Sequence, residues 1–195
     1  QFLTQYISTK KDLATLLRGI ELIIFDVDGT ILKDTHIQYW KHLNKASSHH
    51  ANKQWSDAQF RQYLSRPEGY TTRQHIVASM LEQDPSQDSD LVRKTMDFFY
   101  QSFCEDQEKS ELFPHVVMAV TELTRCGIPS IAFSDTEEVL VRKMLSDYNL
   151  HSHFESVVGQ AKKPDTTVLH HALKNRSSHP QITGKNILVI GDNLK

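Results

Sequence analysis

The sequence predicts an α/β fold: a parallel sheet interleaved with helices and interrupted by one all-helical insert. Three observations carry this. Short apolar runs of strand character recur at 22–25, 131–133 and 187–190. Stretches of helical apolar spacing lie between them, and strands separated by helices imply βαβ units with a parallel sheet. From 33 to about 112, helical periods dominate and no convincing strand occurs.

The elements follow in order. Residues 9–19 read as a helix, with Thr9 as N-cap, Asp12 near its start and Gly19 as its stop. Leu13, Leu16, Leu17 and Ile20 form its apolar stripe. A first strand over 21–26 comes next. Helices are expected at 35–48, 56–65, 71–83 and 88–107, broken at Arg66-Pro67-Glu68-Gly69 and Asp84-Pro85-Ser86. After Pro114 the alternation resumes with helix 115–126, strand 129–134, helix 137–148 and a short strand 154–158. Helix 165–175 and strand 186–190 complete it. This divides the chain into a sheet-bearing core, 1–32 with 113–195, and a helical block, 33–112.

Composition excludes several classes. The 195 residues are 38% hydrophobic and 24% charged, as in ordinary globular chains. A net charge of −2 gives no electrostatic footprint for nucleic acid or an anionic membrane. Cys104 and Cys126 form no metal or redox motif. No apolar run reaches membrane-spanning length, and no signal-peptide pattern is present. A cytoplasmic location is the default expectation. The sequence opens on Gln1, which points to a native start further upstream.

The chemistry concentrates at Ile23-Ile24-Phe25-Asp26-Val27-Asp28-Gly29-Thr30. A strand directs alternate side chains to one face, so Asp26 and Asp28 can address one point past its carboxyl end. Open α/β sheets bind ligands at that edge. Two close carboxylates repel, and a divalent cation is the simplest way to keep at least one of them ionised. Gly29 permits a sharp turn and close approach to a ligand. The plainer reading is a strand ending in an Asp-Gly turn.

Asp26-Val27-Asp28-Gly29-Thr30 resembles the DxDGT signature of the haloacid dehalogenase-like (HAD) superfamily. The family's other three motifs are matched in order. They are Ser130-Ile131-Ala132-Phe133-Ser134, then Lys163-Pro164, then Ile187-Leu188-Val189-Ile190-Gly191-Asp192. The resemblance spans 22–192 and implies a Rossmann-like core with a helical cap inserted after the first motif. It implies Asp26 as nucleophile, forming an aspartyl-phosphate, and Asp28 as the acid that protonates the leaving oxygen and then the base that activates water. Ser134 would donate to a phosphoryl oxygen, and Lys163, rather than its neighbour Lys162, would supply positive charge. Asp192 would complete a Mg²⁺ site with the Asp26 carboxylate and the Asp28 carbonyl. Gly29, Thr30 and Asp135 are expected around the bound substrate. From the cap, His36, Tyr39, Trp40, Tyr70 and Arg73 are placed to face the site. Arg73 would grip a second anionic group, its alternative being a surface helix residue. Tyr39 and Trp40 alternatively pack in the core. The pairs His49-His50 and His170-His171 read as surface residues, since adjacent helical residues do not chelate.

Two departures stand out. Asp135 occupies a position where the family commonly carries Asn or Gly, and it is expected to face outward and cap the helix starting near Glu137. The sequence also ends at Lys195, before the family's second acid of the last motif, its next helix and its fifth strand, so a further carboxyl-terminal segment is expected. The leading expectation is a Mg²⁺-dependent phosphatase hydrolysing a small phosphate monoester. The alternatives are a phosphomutase with the same intermediate, or a non-catalytic module binding a phosphorylated ligand or a protein. A dinucleotide-binding oxidoreductase is disfavoured because the first turn lacks GxGxxG.

Overall fold

The computed structural model describes residues 15, 17–65, 72–160 and 186–192. Four strands, β1 (Leu22–Asp26), β2 (Ser130–Phe133), β3 (Ser156–Val158) and β4 (Ile187–Ile190), form one sheet in the order β3-β2-β1-β4. All three pairings are parallel, with Ile24 opposite both Ile131 and Val189. The continuous apolar run of β1 is explained by this central place, because a parallel strand covered on both faces has no polar side. Its alternation still sorts the side chains. Ile23 and Phe25 join the large core shared with the helices, while Leu22 and Ile24 pack with Ile131, Phe133 and Val158 on the opposite face.

Four helices, α1 (Thr35–Ala51), α2 (Asp57–Leu64), α3 (Arg73–Met80) and α4 (Asp90–Glu105), lie between β1 and β2 in the chain. They pack on one another through Leu43, Ala46, Phe60, Ile76, Val77 and Phe99. Their starts are set locally: the hydroxyls of Ser56, Thr72 and Ser89 accept backbone N–H groups of the first turns. Asn44 locks the segment between α1 and α2, accepting from the Trp55 N–H and donating to the Trp55 carbonyl. The Trp40 indole donates to that same carbonyl, so this residue serves packing within the helices and not the site. Two further helices, α5 (Val116–Arg125) and α6 (Glu138–Ser146), flank β2 in sequence, and a single 3₁₀ turn at His151–His153 precedes β3.

The expected elements within the described residues are present, with ends shifted by a few residues. Helix α1 runs to Ala51 because Asn52 adopts the left-handed conformation that terminates it. Helix α3 is shorter than expected, as Thr72 caps it and Glu82 turns left-handed just after it. Most of the expected helix 9–19 and all of helix 165–175 lie outside the described residues.

The connection leaving β1 positions the site. The Val27 carbonyl accepts N–H groups of Thr30, Ile31 and Leu32, and the Gly29 N–H donates back to the Leu32 carbonyl at 2.8 Å. This tight loop needs a positive φ at Gly29, which is +81°. The chain then enters the helices beside the point where it returns. Lys33 donates to the Glu111 carbonyl, Phe113 donates to the Ile31 carbonyl, and Leu32 forms an isolated bridge with Leu112.

Candidate active site

Strands β1 and β2 each end in polar side chains two residues apart: Asp26 and Asp28 on one, Ser134 and Thr136 on the other. Because the strands are adjacent and parallel, with Asp26 opposite Phe133, the two pairs meet at the same sheet edge. The Asp28 carboxylate accepts three hydroxyl hydrogen bonds. Ser134 and Thr136 donate to Oδ2 at 2.7 and 3.0 Å, and Tyr39 of α1 donates to Oδ1 at 3.1 Å. Ser134 is fully buried, its Oγ accepting the Thr136 N–H at 2.9 Å. Asp26 is oriented by its own turn, Oδ1 accepting the Val27 N–H at 2.8 Å.

Asp192 arrives from β4. Its N–H donates to Thr30 Oγ1 at 3.0 Å. Glycines make room for the carboxylates at this corner. A Cβ on Gly29 would sit 2.6 Å from Asp192 Oδ2, and one on Gly191 would sit 3.3 Å from the Asp26 Cβ. Asp28, Gly29 and Asp192 line an open cleft of about 490 Å³ together with Lys33 and Asp34. Asp26 and Asp192, with the Asp28 carbonyl, form a hard oxygen donor set suited to Mg²⁺. Among the described residues no group of three His, Cys, Asp or Glu side chains could hold a metal. Mg²⁺ keeps several of its waters, so two carboxylates and a carbonyl are enough protein ligands to hold it there.

The helical side contributes Tyr39 and Arg73. The Tyr39 ring is stacked on Phe103, and the Arg73 guanidinium lies 4.0 Å above its centroid. Burial, reinforced by the neighbouring Asp28 charge, pushes the Tyr39 phenol well above its usual value, so it is a neutral hydroxyl at physiological pH. Arg73 is ion-paired to Glu137 and donates to Thr136 Oγ1 at 3.1 Å. Both partners are nearly buried, at 11% and 12% exposure, and the Tyr100 hydroxyl donates to the other Glu137 oxygen. Burial opposes the Arg73 charge, but Tyr39, Glu137 and Asp28 outweigh it and its pKa is raised.

Of the residues expected at the site, Asp26, Asp28, Gly29, Thr30, Ser134 and Asp192 converge at the sheet edge, with Asp135 and Arg73 beside them. Lys163 and Tyr70 lie outside the described residues. Two expectations are corrected. Asp135 does not cap the following helix: α6 has Glu137 at its N-cap, and Asp135 instead lines a pocket next to Thr136. Arg73 is not a surface residue: it is nearly buried and ion-paired to Glu137, with its Nε left without a partner among the described residues. Thr136, Glu137 and Tyr100 were missed. For Thr136 the signal was available, since it stands two residues after Ser134 just as Asp28 follows Asp26.

This arrangement defines the class: a parallel α/β enzyme with a carboxylate-based site at the carboxyl edge of its sheet. The chain belongs to the haloacid dehalogenase-like hydrolase family, whose pattern matches residues 23–195. A phosphoglycolate phosphatase of Vibrio cholerae serotype O1 is 25% identical over 183 residues, covering 90% of this chain and 77% of that protein. The crystal structure of CbbY from Rhodobacter sphaeroides in complex with phosphate superposes with a TM-score of 0.66 at 20% identity, over 87% of this chain and 76% of that one. A β-phosphoglucomutase assignment from Thermotoga maritima gives a TM-score of 0.59 at 20% identity, over 87% and 75% of the two chains. The two structural likenesses are of fold.

Proposed function

We propose that this enzyme is a Mg²⁺-dependent phosphatase acting on a small phosphate monoester, with residues 33–112 as the cap over a core of 1–32 and 113–195. The observation that carries it is the convergence of Asp26, Asp28, Ser134 and Asp192 on one corner of the sheet. The phosphatase activity of the V. cholerae relative supports the same reading. Asp26 is the nucleophile: its carboxylate oxygen forms the bond to phosphorus as the ester oxygen leaves. Asp28 delivers a proton to that leaving oxygen, then removes one from the water that cleaves the aspartyl-phosphate and restores Asp26.

The hydrogen bonds fit the second half of this cycle. Asp28 accepts three hydroxyls and donates to none of them, the acceptor-only arrangement that the base role uses. For the first half one hydroxyl must turn round. Tyr39 and Thr136 stand 3.1 Å apart, and either can donate to the other, which gives the turned hydroxyl a partner. Ser134 then re-aims its proton from Asp28 to a phosphoryl oxygen. A Mg²⁺ ion held by Asp26, Asp192 and the Asp28 carbonyl would neutralise charge on the transferring group. Lys163 would add a second positive charge.

Phosphate release from a panel of small esters, with Mg²⁺ and with chelator, tests this. Release that needs Mg²⁺ and disappears in Asp26→Asn is the expected result. No release from any ester by the folded protein would overturn it in favour of a binding module, and transfer outpacing hydrolysis would make it a mutase.

A further inference from the structure

Beside the reactive corner, a pocket of about 130 Å³ opens between α1, α2, α3 and the loop after β2. One wall is apolar, made by Leu43, Phe60, Leu64 and Ile76. The other carries His36, Asp135, Arg73 and Thr136, with Tyr39 between the two. Thr136 and Tyr39 both bond Asp28, so whatever fills this pocket sits against the proton donor for the leaving oxygen. The pocket therefore receives the alcohol portion of the ester.

Resting on the phosphatase reading above, we infer that this alcohol portion is electrically neutral: an uncharged, partly apolar alcohol and not one bearing a carboxylate or a second phosphate. Arg73 is the only guanidinium or ammonium among the described residues lining the pocket. Its charge is already balanced by Glu137 within the same buried cluster. A second anion could engage Arg73 only by displacing Glu137, and that would leave a nearly buried carboxylate without its cation. Asp135 on the same wall adds a further acidic group. Two polar atoms remain to be met: His36 Nε2 and Arg73 Nε are buried with no hydrogen-bond partner among the described residues. An imidazole nitrogen can offer one hydrogen bond and Arg73 Nε donates another, and a hydroxyl on the leaving group can meet them. A balanced Arg73, a further carboxylate, four apolar side chains and two unpartnered nitrogens fit a short alcohol with a second hydroxyl.

A matched pair of esters isolates the charge. 2-Hydroxyethyl phosphate and 2-phosphoglycolate have nearly the same size and differ at one end, a hydroxyl in one and a carboxylate in the other. The full chain should turn over the hydroxyl ester with a kcat/KM higher by at least about tenfold. Glu137→Gln, which releases Arg73, should shrink or reverse that ratio. Where this variant fails to fold, the paired replacement Arg73→Met with Glu137→Met removes both charges together and should keep the preference for the hydroxyl ester. Preference of the wild type for phosphoglycolate, or loss of the preference in the paired variant, would overturn the inference while leaving the phosphatase intact. Release from other small esters but from neither of these two would also overturn the inference, whereas no release from any ester, or release that survives Asp26→Asn, would sink the phosphatase reading itself.

Discussion

The two walls of this site are held by different means. On the sheet side, Asp26, Asp28, Ser134 and Thr136 hang from short side chains whose positions are set by strand register, with one backbone bond per turn adding orientation. On the helical side, Tyr39 and Arg73 reach the site on longer side chains, held by each other and by Glu137 from the loop after β2. The first wall orders few rotatable bonds, so its geometry costs little side-chain entropy. The second depends on a buried ion pair that stands or falls together. Chemistry is thus built into the backbone, whereas selectivity rests on a charge balance that one substitution can tip.

Breaking the first wall should have the largest effect on activity. Asp26→Asn retains an oxygen for the Val27 N–H but removes the nucleophile, and phosphate release should fall roughly 10³-fold or more. An unchanged thermal midpoint alongside that loss would assign it to chemistry. Breaking the second wall should show first in stability. Glu137→Ala leaves Arg73 buried and unbalanced, at a cost of about 3–5 kcal/mol in urea unfolding. Removing both charges should restore much of that, and a double variant no better than the single one would refute the coupling.

Smaller changes sharpen the contrast. Gly29→Ala places a Cβ 2.6 Å from Asp192 Oδ2 at a backbone φ of +81°. The strain should cost about 1–2 kcal/mol, and the displaced Asp192 should raise the Mg²⁺ concentration needed for half-maximal activity. Thr136→Val removes one of three donors to Asp28 and should lower kcat by about tenfold, the scale of one hydrogen bond to a charged group. Tyr39→Phe should do the same or less, since two hydroxyls remain on Oδ2.

The smallest effect lies away from both walls. His42 is buried between Ser102 and Asp106, and burial lowers its pKa even though Asp106 opposes the shift. Between that lowered value and the usual imidazole value of about 6.5, the unfolded chain binds more protons than the folded one. Stability should therefore decline as the pH falls from about 6.5 through the folded value, and His42→Gln should flatten the curve. Urea midpoints measured across that range decide it.

The alternation that places Asp26 with Asp28 is local, so β1 and its turn were readable from residues 23–30 alone, whereas the end of α1 at Ala51, set by the left-handed Asn52, was missed. Ser134 and Asp192 were expected through the family resemblance, as the residues that end its second and fourth motif strands. The Arg73–Glu137 pair was not, since its partners stand 64 residues apart and meet only once α3 packs over the sheet edge. Asp135 was misjudged for a related reason. Its role depends on where α6 starts, and the helix begins two residues later than an Asp135 cap would require.

The seam at Leu32 has a consequence for how such an enzyme can change. Leu32 bridges Leu112, and the flanking carbonyls of Ile31 and Glu111 each take an N–H from across the seam. The chain between these rungs is a detour: it departs from and rejoins the sheet at one place, so strand order is indifferent to its length. Insertions, deletions or wholesale replacement there need not re-thread β1 against its neighbours. A lineage, or an engineer, can therefore rewrite which alcohol is recognised by editing the loop of helices, while the three residues between Asp28 and Leu32 keep the acid in register.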